Sequence, residues 1–318
     1  MSTNLAIGVK WASMENYDKE LKTKLSNIEN VLNVNDLLAR NGCTDSIRKY
    51  YKLNKLAYSI FHSKKGFVHA GLSESDSFKD EDLLAQPKII GKYIEENNAK
   101  EVLELAMGKG ANSKYLAEKY PDVNFYGLDL ENGQLDINNF KNIQNLRVSY
   151  GDYHKLDSFP DEKFDIIYVI DALCHSNNKD VVAKEVYRVL KNGGLFIVID
   201  GYSGKKTNEL NEDEVLAKQL NEKGMMLSSF EYIDNAVDKI KSAGLILVED
   251  KDYSKNIIPS FGRLEKIASK TIFEPRILGK IVDKVLPNEI TFNAVSAYLT
   301  PVLIRKGIFC YKLLIFKK

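Results

Sequence analysis

The residues best suited to chemistry in this sequence gather around one glycine turn. Gly108 and Gly110 form a GxG within Glu104-Leu-Ala-Met-Gly-Lys-Gly-Ala-Asn-Ser113. Such a turn between a strand and a helix lets a ligand approach the backbone and the helix N-terminus. Asp129 follows Gly110 by 19 residues, where a carboxylate closing the next strand can accept both hydroxyls of a ribose. Glu104 lies four residues before Gly108. A carboxylate aimed at the turn would repel a pyrophosphate, and Ser113 stands where a dinucleotide fingerprint has its third glycine. The pattern therefore predicts an adenosyl cofactor that is cationic and lacks phosphate. S-Adenosyl-L-methionine, with a sulfonium and an ammonium, meets that description. Gly151-Asp152-Tyr153 extends the same site. Asp152 can accept from the adenine amino group, and Tyr153 can border the ring.

These residues need a parallel sheet to hold them. Short apolar runs predict strands at Glu101–Met107, Val123–Leu130, Leu146–Gly151, Phe164–Asp171 and Leu195–Asp200, with two more at Leu245–Asp250 and Gly307–Phe316. Between them the three- and four-residue apolar spacing predicts helices at Ala111–Tyr120, Asp180–Leu190 and Ser229–Ala243, with further ones within 132–141 and 155–158. Lys191-Asn-Gly-Gly194 reads as an architectural turn from helix to strand. Ahead of the sheet, Tyr17–Asn33, Asp45–Phe61 and Glu81–Glu96 read as helices. The expected fold is an α/β, Rossmann-like, seven-stranded and mostly parallel sheet with helices on both faces and a helical cap. The expected division is an N-terminal helical cap over 1–80 and a core over 81–318, with cap insertions at about 201–228 and 255–306.

Composition narrows the partners. The 318 residues carry 45 Lys+Arg against 44 Asp+Glu, a net charge of +1. That balance disfavours a dedicated nucleic-acid binder, which needs excess cation to displace counterions. Three widely spaced cysteines form neither a disulfide framework nor a metal knuckle, so a reducing, cytoplasmic setting is expected and no metal site. No secretory leader is evident at the N-terminus. Charge is uneven: from Lys251 onward 13 basic residues face 5 acidic ones. The basic, apolar C-terminal region allows two readings, peripheral contact with anionic lipid or an amphipathic helix packed on the protein's own core, and base rates favour the second.

Residues 101–200 resemble the class I S-adenosylmethionine-dependent methyltransferases. The resemblance rests on Glu-Leu-Ala-Met-Gly-Lys-Gly (104–110), Gly-Leu-Asp-Leu (127–130), Gly-Asp-Tyr (151–153), Phe-Asp-Ile-Ile-Tyr (164–168) and Leu-Lys-Asn-Gly-Gly (190–194). The family usually has a further glycine where Ala106 stands and a proline where Asn192 stands. Asp-Ala-Leu-Cys-His-Ser (171–176) is similar to a segment of the sterol C-methyltransferases, and Tyr50-Tyr51, Phe67-Val-His69 and Ala85-Gln86 also resemble that branch and the neighbouring tocopherol and cyclopropane-fatty-acid enzymes. The sterol enzymes' acidic, Trp-containing segment is replaced by Tyr58-Ser-Ile-Phe-His-Ser-Lys-Lys-Gly66, which argues for a different apolar acceptor. The resemblance implies a cofactor cradle of Glu104, Ala106, Gly108, Gly110, Asp129, Leu130, Asp152, Tyr153 and the main chain at Ile170, joined from the cap by Tyr51 and Gln86. S-Adenosyl-L-homocysteine would be the product.

The expected acceptor is a small molecule, lipophilic or aromatic, methylated at carbon, nitrogen or oxygen. If a proton must leave it, His175 after the fourth strand is the first candidate base, followed by His69 and His62. Tyr202 is a third catalytic candidate beside His175 and His69, and with Tyr50, Tyr51 and Tyr58 it can line the pocket. Two alternatives stay open: a nucleic-acid or protein methyltransferase, and a non-catalytic cofactor-binding interaction module. The oligomeric state is not readable.

Overall fold

The structure is a computed structural model that describes residues 13–40, 65–131, 134–275, 279–281, 284 and 287–318. Tyr50, Tyr51, Tyr58, His62 and the helix expected over Asp45–Phe61 lie outside the described residues. Seven strands form one sheet: β1 (Glu101–Leu105), β2 (Asn124–Asp129), β3 (Leu146–Tyr150), β4 (Phe164–Ile170), β5 (Leu190–Ser203), β6 (Ile246–Asp252) and β7 (Phe309–Lys317). Their spatial order is β3-β2-β1-β4-β5-β7-β6. Strands β1 to β5 pair in parallel, and β7 inserts antiparallel between β5 and β6. The chain order reverses between β1 and β4, so the carboxyl ends of those strands open a crevice for a ligand.

Strand β4, Phe-Asp-Ile-Ile-Tyr-Val-Ile, is buried along nearly its whole length. Such a run fits the centre of a sheet covered on both faces. One face packs under α3 (Ala85–Glu96) and α4 (Ala111–Lys119), the other under α5 (Lys179–Val189) and α7 (Ile233–Lys241). Met107 tucks below the glycine turn, where a Cβ on Gly127 would come within 2.4 Å of its sulfur. This close approach explains a glycine inside β2.

Four more helices stack over the crevice side: α1 (Met14–Val31), α6 (Glu212–Gly224), α8 (Ser254–Ala268) and α9 (Asn288–Arg305), with the short α2 (Val34–Leu38) against α6. Helix α9 is buried along most of its length because α1, α6, α8 and β7 all pack on it. Its basic end is neutralised within the chain. Lys306 pairs with Asp18 and, at 3.0 Å, with Glu214, while Arg305 meets Glu20 at 2.6 Å. These C-terminal charges are thus committed to α1 and α6. No described helix is long and apolar enough to cross a membrane.

Several boundaries differ from the sequence expectation. Strand β1 stops at Leu105, because Ala106 turns into the left-handed region at φ 53°. Strand β5 starts at Leu190 and runs to Ser203. The expected Lys191–Gly194 turn is absorbed into its ladder, with a register shift opposite Phe164–Ile166 and Gly193 N–H donating to Lys318 O. Helix α7 begins at Ile233, and Phe230 N–H donates instead to the Glu222 carboxylate. Residues 155–158 are not helical, and 132–141 yields one short turn, Ile137–Phe140. Few apolar residues there could pay for ordering a longer helix.

Candidate cofactor and acceptor site

Strand β1 carries Glu104 into the sheet, and its side chain ends against the N-terminus of α4. There it accepts from Ser113 N–H at 3.1 Å, Ser113 Oγ, Asn112 Nδ2 at 3.2 Å and Tyr168 Oη at 3.0 Å. The carboxylate thereby satisfies a free N–H of the first helical turn and sits favourably in its dipole. Burial nevertheless dominates and pushes the Glu104 pKa up to about 7. The sequence reading gave Glu104 only to the ligand; the structure shows that it also holds the turn.

The turn has three left-handed residues, Ala106 (φ 53°), Gly108 (φ 59°) and Gly110 (φ 75°). Gly108 and Gly110 reach this conformation without a Cβ penalty, whereas Ala106 costs about 1–2 kcal/mol. A Cβ on Gly108 would come within 2.9 Å of Val68, and one on Gly110 within 2.4 Å of Phe140. Close packing against Val68 and Phe140, as well as the backbone conformation, therefore demands glycine at both positions.

Asp129, at the end of β2, accepts Gly108 N–H at 2.5 Å on one oxygen and Leu130 N–H at 2.6 Å on the other. Each oxygen keeps a lone pair for a ribose hydroxyl. Burial lifts this carboxyl to about 6. Asp152 is half exposed and bonds the His154 backbone N–H at 2.9 Å and the His154 ring Nδ1 at 2.7 Å through the same oxygen, leaving Oδ2 available. Tyr153 Oη donates to Ala172 O at 3.3 Å, which places its ring between β3 and the segment after β4. Gln86, on α3, is fully buried. Its Nε2 donates to Ala70 O at 2.5 Å, and its Oε1 has no hydrogen-bond partner among the described residues. A buried orphan acceptor beside the crevice fits a cationic or donor-bearing ligand. By the free lone pairs of Asp129 and Asp152 and the orphaned Gln86 acceptor, these residues fit S-adenosylmethionine.

Beyond Ile170, the last residue of β4, lies a cavity of about 410 Å³. Apolar residues of α8 and α9 form one side of its wall, including Ile257, Phe261, Leu264, Ala294 and Ala297. Its polar residues include Asp171, Cys174, His175, Asp200, Tyr202 and Tyr311. Asp171 has φ 49°; it accepts Tyr311 Oη at 2.6 Å and Ala70 N–H at 3.3 Å. Asp200 accepts Gly201 N–H at 2.8 Å and Cys174 N–H at 2.9 Å. Burial and the Asp200 charge raise Asp171 to about 7, and burial raises Asp200 as well.

The three catalytic candidates separate here. His175 lines the cavity, but burial and nearby Lys179 lower its pKa to about 4. It is a neutral imidazole at neutral pH and a poor keeper of a proton. His69 does not line the cavity. Its Nε2 pairs with Asn112 Oδ1 at 3.0 Å and its Nδ1 faces Ala70 O at 3.1 Å, which ties it to the first turn of α4. Tyr202 lines the cavity and, held well above the ordinary phenol range by burial, stays protonated. Sequence reasoning missed Tyr311 altogether, because 140 residues separate it from Asp171.

Residues 103–198 match the methyltransferase domain family, and the fold and the site agree with the class I S-adenosylmethionine-dependent methyltransferases. Within that class the chain is similar to the sterol 24-C-methyltransferase of Kluyveromyces lactis, at 28% identity over 169 residues, covering 51% of this chain and 44% of that one. It is also similar to the cycloartenol-C-24-methyltransferase of Arabidopsis thaliana, at 25% over 255 residues, 76% of this chain and 73% of that one. The chain thus spans less than half the length of the Kluyveromyces relative. Among solved structures, a mycolic acid cyclopropane synthase complexed with adenosylhomocysteine shares the fold, with a TM-score of 0.68, 18% identity and coverage of 86% of this chain and 98% of that one.

With a ribose on Asp129 and an ammonium near Glu104, as the sequence reading expects, both ligand groups favour the ionised acids, and binding is expected to draw protons off these two raised carboxyls. Adenosylhomocysteine affinity is then expected to fall by roughly ten-fold or more as pH drops from 7.5 to 5.5, and to level off above pH 8. Calorimetry across that range in two buffers of different ionisation enthalpy checks both the trend and the proton release.

Proposed function

We propose that this protein transfers the methyl group of S-adenosylmethionine to a small lipophilic acceptor of the sterol or lipid type. The observation that carries this reading is the apolar cavity at the carboxyl ends of β4 and β5, next to the cradle of Glu104, Asp129 and Gln86. The cofactor supplies an activated methyl on a positively charged sulfur. What the chain adds is alignment and exclusion of water. Asp129 grips the ribose, Asp152 faces the adenine, Gln86 and the Ile170 main chain face the methionine end, and α8 and α9 shield the acceptor. The names of the curated relatives support carbon as the methylated atom, since they describe 24-C-methyltransferases. The cavity volume falls in the usual range for small-molecule sites and suits a flexible or compact lipid.

Incubation with methyl-labelled cofactor and a cell lipid extract is expected to label a solvent-extractable product. Label recovered only in protein or RNA, sensitive to protease or nuclease, would favour the alternative acceptors. No label in any fraction, with adenosylhomocysteine bound normally, would point to a non-catalytic module.

A further inference from the structure

His154 belongs neither to the glycine turn nor to the wall of the acceptor cavity, yet it connects the turn after β3 with the segment after β4. Its Nδ1 lies 2.7 Å from Asp152 Oδ1, and its Nε2 lies 2.8 Å from Ser176 Oγ. A carboxylate only accepts, so Nδ1–H donates to Asp152. In the neutral ring Nε2 then accepts the Ser176 hydroxyl proton, while Ser176 Oγ itself accepts Asn178 N–H at 3.1 Å. The two ends of this bridge differ in freedom. The Asp152 side chain is 50% exposed, and by itself it would sample several rotamers. Ser176 is 2% exposed, and its carbonyl accepts Lys179 Nζ at 2.8 Å. The imidazole thus ties a loose carboxylate to a fixed anchor. The neighbouring contacts agree. His154 N–H donates to the same Asp152 Oδ1 at 2.9 Å. The Tyr153 ring leans on the imidazole at 4.7 Å, and Tyr153 Oη reaches Ala172 O at 3.3 Å. Both donors load Oδ1, so Oδ2 is left for a ligand with its direction set.

We propose that His154 is a positioning residue for cofactor selection: braced on Ser176, it holds the Asp152 carboxylate for the 6-amino group of the adenine and so makes the site prefer adenine to a 6-oxopurine. This deepens the methyltransferase reading and rests on it, with Asp152 facing the base. The 6-amino group donates to a carboxylate oxygen. A 6-oxo group in its place presents lone pairs to the same oxygen and is repelled. A carboxylate free to turn away escapes that repulsion, and one that is held cannot. Holding also spares the adenine complex the cost of ordering the side chain on binding. The work of His154 therefore shows in the difference between the two bases more than in the affinity for either one.

The test compares, by calorimetry on the full chain, the binding of S-adenosylhomocysteine and of S-inosylhomocysteine, its 6-oxo counterpart. The wild-type chain is expected to prefer the adenosyl compound by roughly ten-fold or more, the range for a hydrogen bond to a charged group. His154→Phe keeps a ring against Tyr153 and loses both hydrogen bonds. Its preference is expected to shrink to about three-fold or less, chiefly through weaker binding of the adenosyl compound. His154→Asn, whose amide can replace Nδ1–H, should restore most of the preference. Ser176→Ala removes the far anchor and leaves His154 in place. It should cut the preference by about two-fold or more, and it carries the test if His154→Phe does not fold. Equal losses for the two compounds in His154→Phe would mark a merely structural ring and overturn the proposal. So would a preference unchanged in both His154→Phe and Ser176→Ala, or a wild-type chain that binds both compounds alike. Failure of the wild-type chain to bind adenosylhomocysteine at all would instead remove the methyltransferase reading, so the two failures are distinguishable.

Discussion

Asp129→Ala is expected to weaken adenosylhomocysteine binding by about 1.5–3 kcal/mol, roughly 10- to 150-fold, the range for hydrogen bonds to a charged group. Two effects add in the same direction. The ribose loses its bidentate acceptor, and the glycine turn loses the anchor that holds Gly108 N–H. A second variant separates them. Asp129→Asn keeps the shape and a carbonyl acceptor for Gly108 N–H, while the other oxygen becomes an amide that opposes Leu130 N–H and no longer accepts from a ribose hydroxyl. Asn should therefore lose less thermal stability than Ala yet still bind at least several-fold more weakly. Calorimetry on both variants, with melting curves as a control on folding, reads the two effects apart. Unchanged affinity in Asp129→Ala would show that the ribose lies elsewhere, and the proposed use of the cradle would fall with it.

That experiment concerns a residue legible in the sequence, and the reason is local. Asp129, Gly108, Gly110 and Glu104 lie within 26 residues, so strand–turn–helix–strand spacing alone aligns them. The same locality made most strands readable: β4 and the centre of β5 are continuous apolar runs that only a doubly covered sheet accommodates. The acceptor side was less legible because its parts are brought together by topology. Asp171 and Asp200 stand as acids at the ends of predicted strands, but no spacing in the sequence joins them to a partner. Their partner is a phenol from the last strand, Tyr311, which reaches Asp171 only because β7 runs antiparallel beside β5. The signal available was parity: in the alternating burial of β7, Tyr311 falls on the same face as Leu313 and Ile315, the face that looks toward α9. The partners of the basic excess after Lys251 were hidden for a similar reason. Its acidic complement, Asp18 and Glu20, stands almost 290 residues earlier, and only the packed structure pairs them with Lys306 and Arg305.

The cap helices provide the second large effect. Lys24 of α1 is 4% exposed and donates to Glu265 of α8 and, at 2.6 Å, to Tyr298 O of α9. It therefore ties together three helices, two of which wall the acceptor cavity. Methionine matches the length and volume of lysine but brings no charge. Lys24→Met should leave the Glu265 carboxylate and the Tyr298 carbonyl without their donor, at a cost of about 3 kcal/mol, the lower end for breaking a buried pair because Glu265 keeps some exposure. Removing both partners in Lys24→Met/Glu265→Gln should recover more than half of that loss, since no unpaired charge then remains. Urea unfolding of the two variants and of Glu265→Gln measures the coupling. A single-variant loss below about 0.5 kcal/mol would place the pair among ordinary surface contacts. The cap would then be held by its apolar contacts alone, chiefly Leu21, Leu25 and Ile28 against the core. The expected loss instead makes the ionic knot a condition for a closed cavity, and dodecanol binding should fall in parallel with stability in Lys24→Met and return in the double variant.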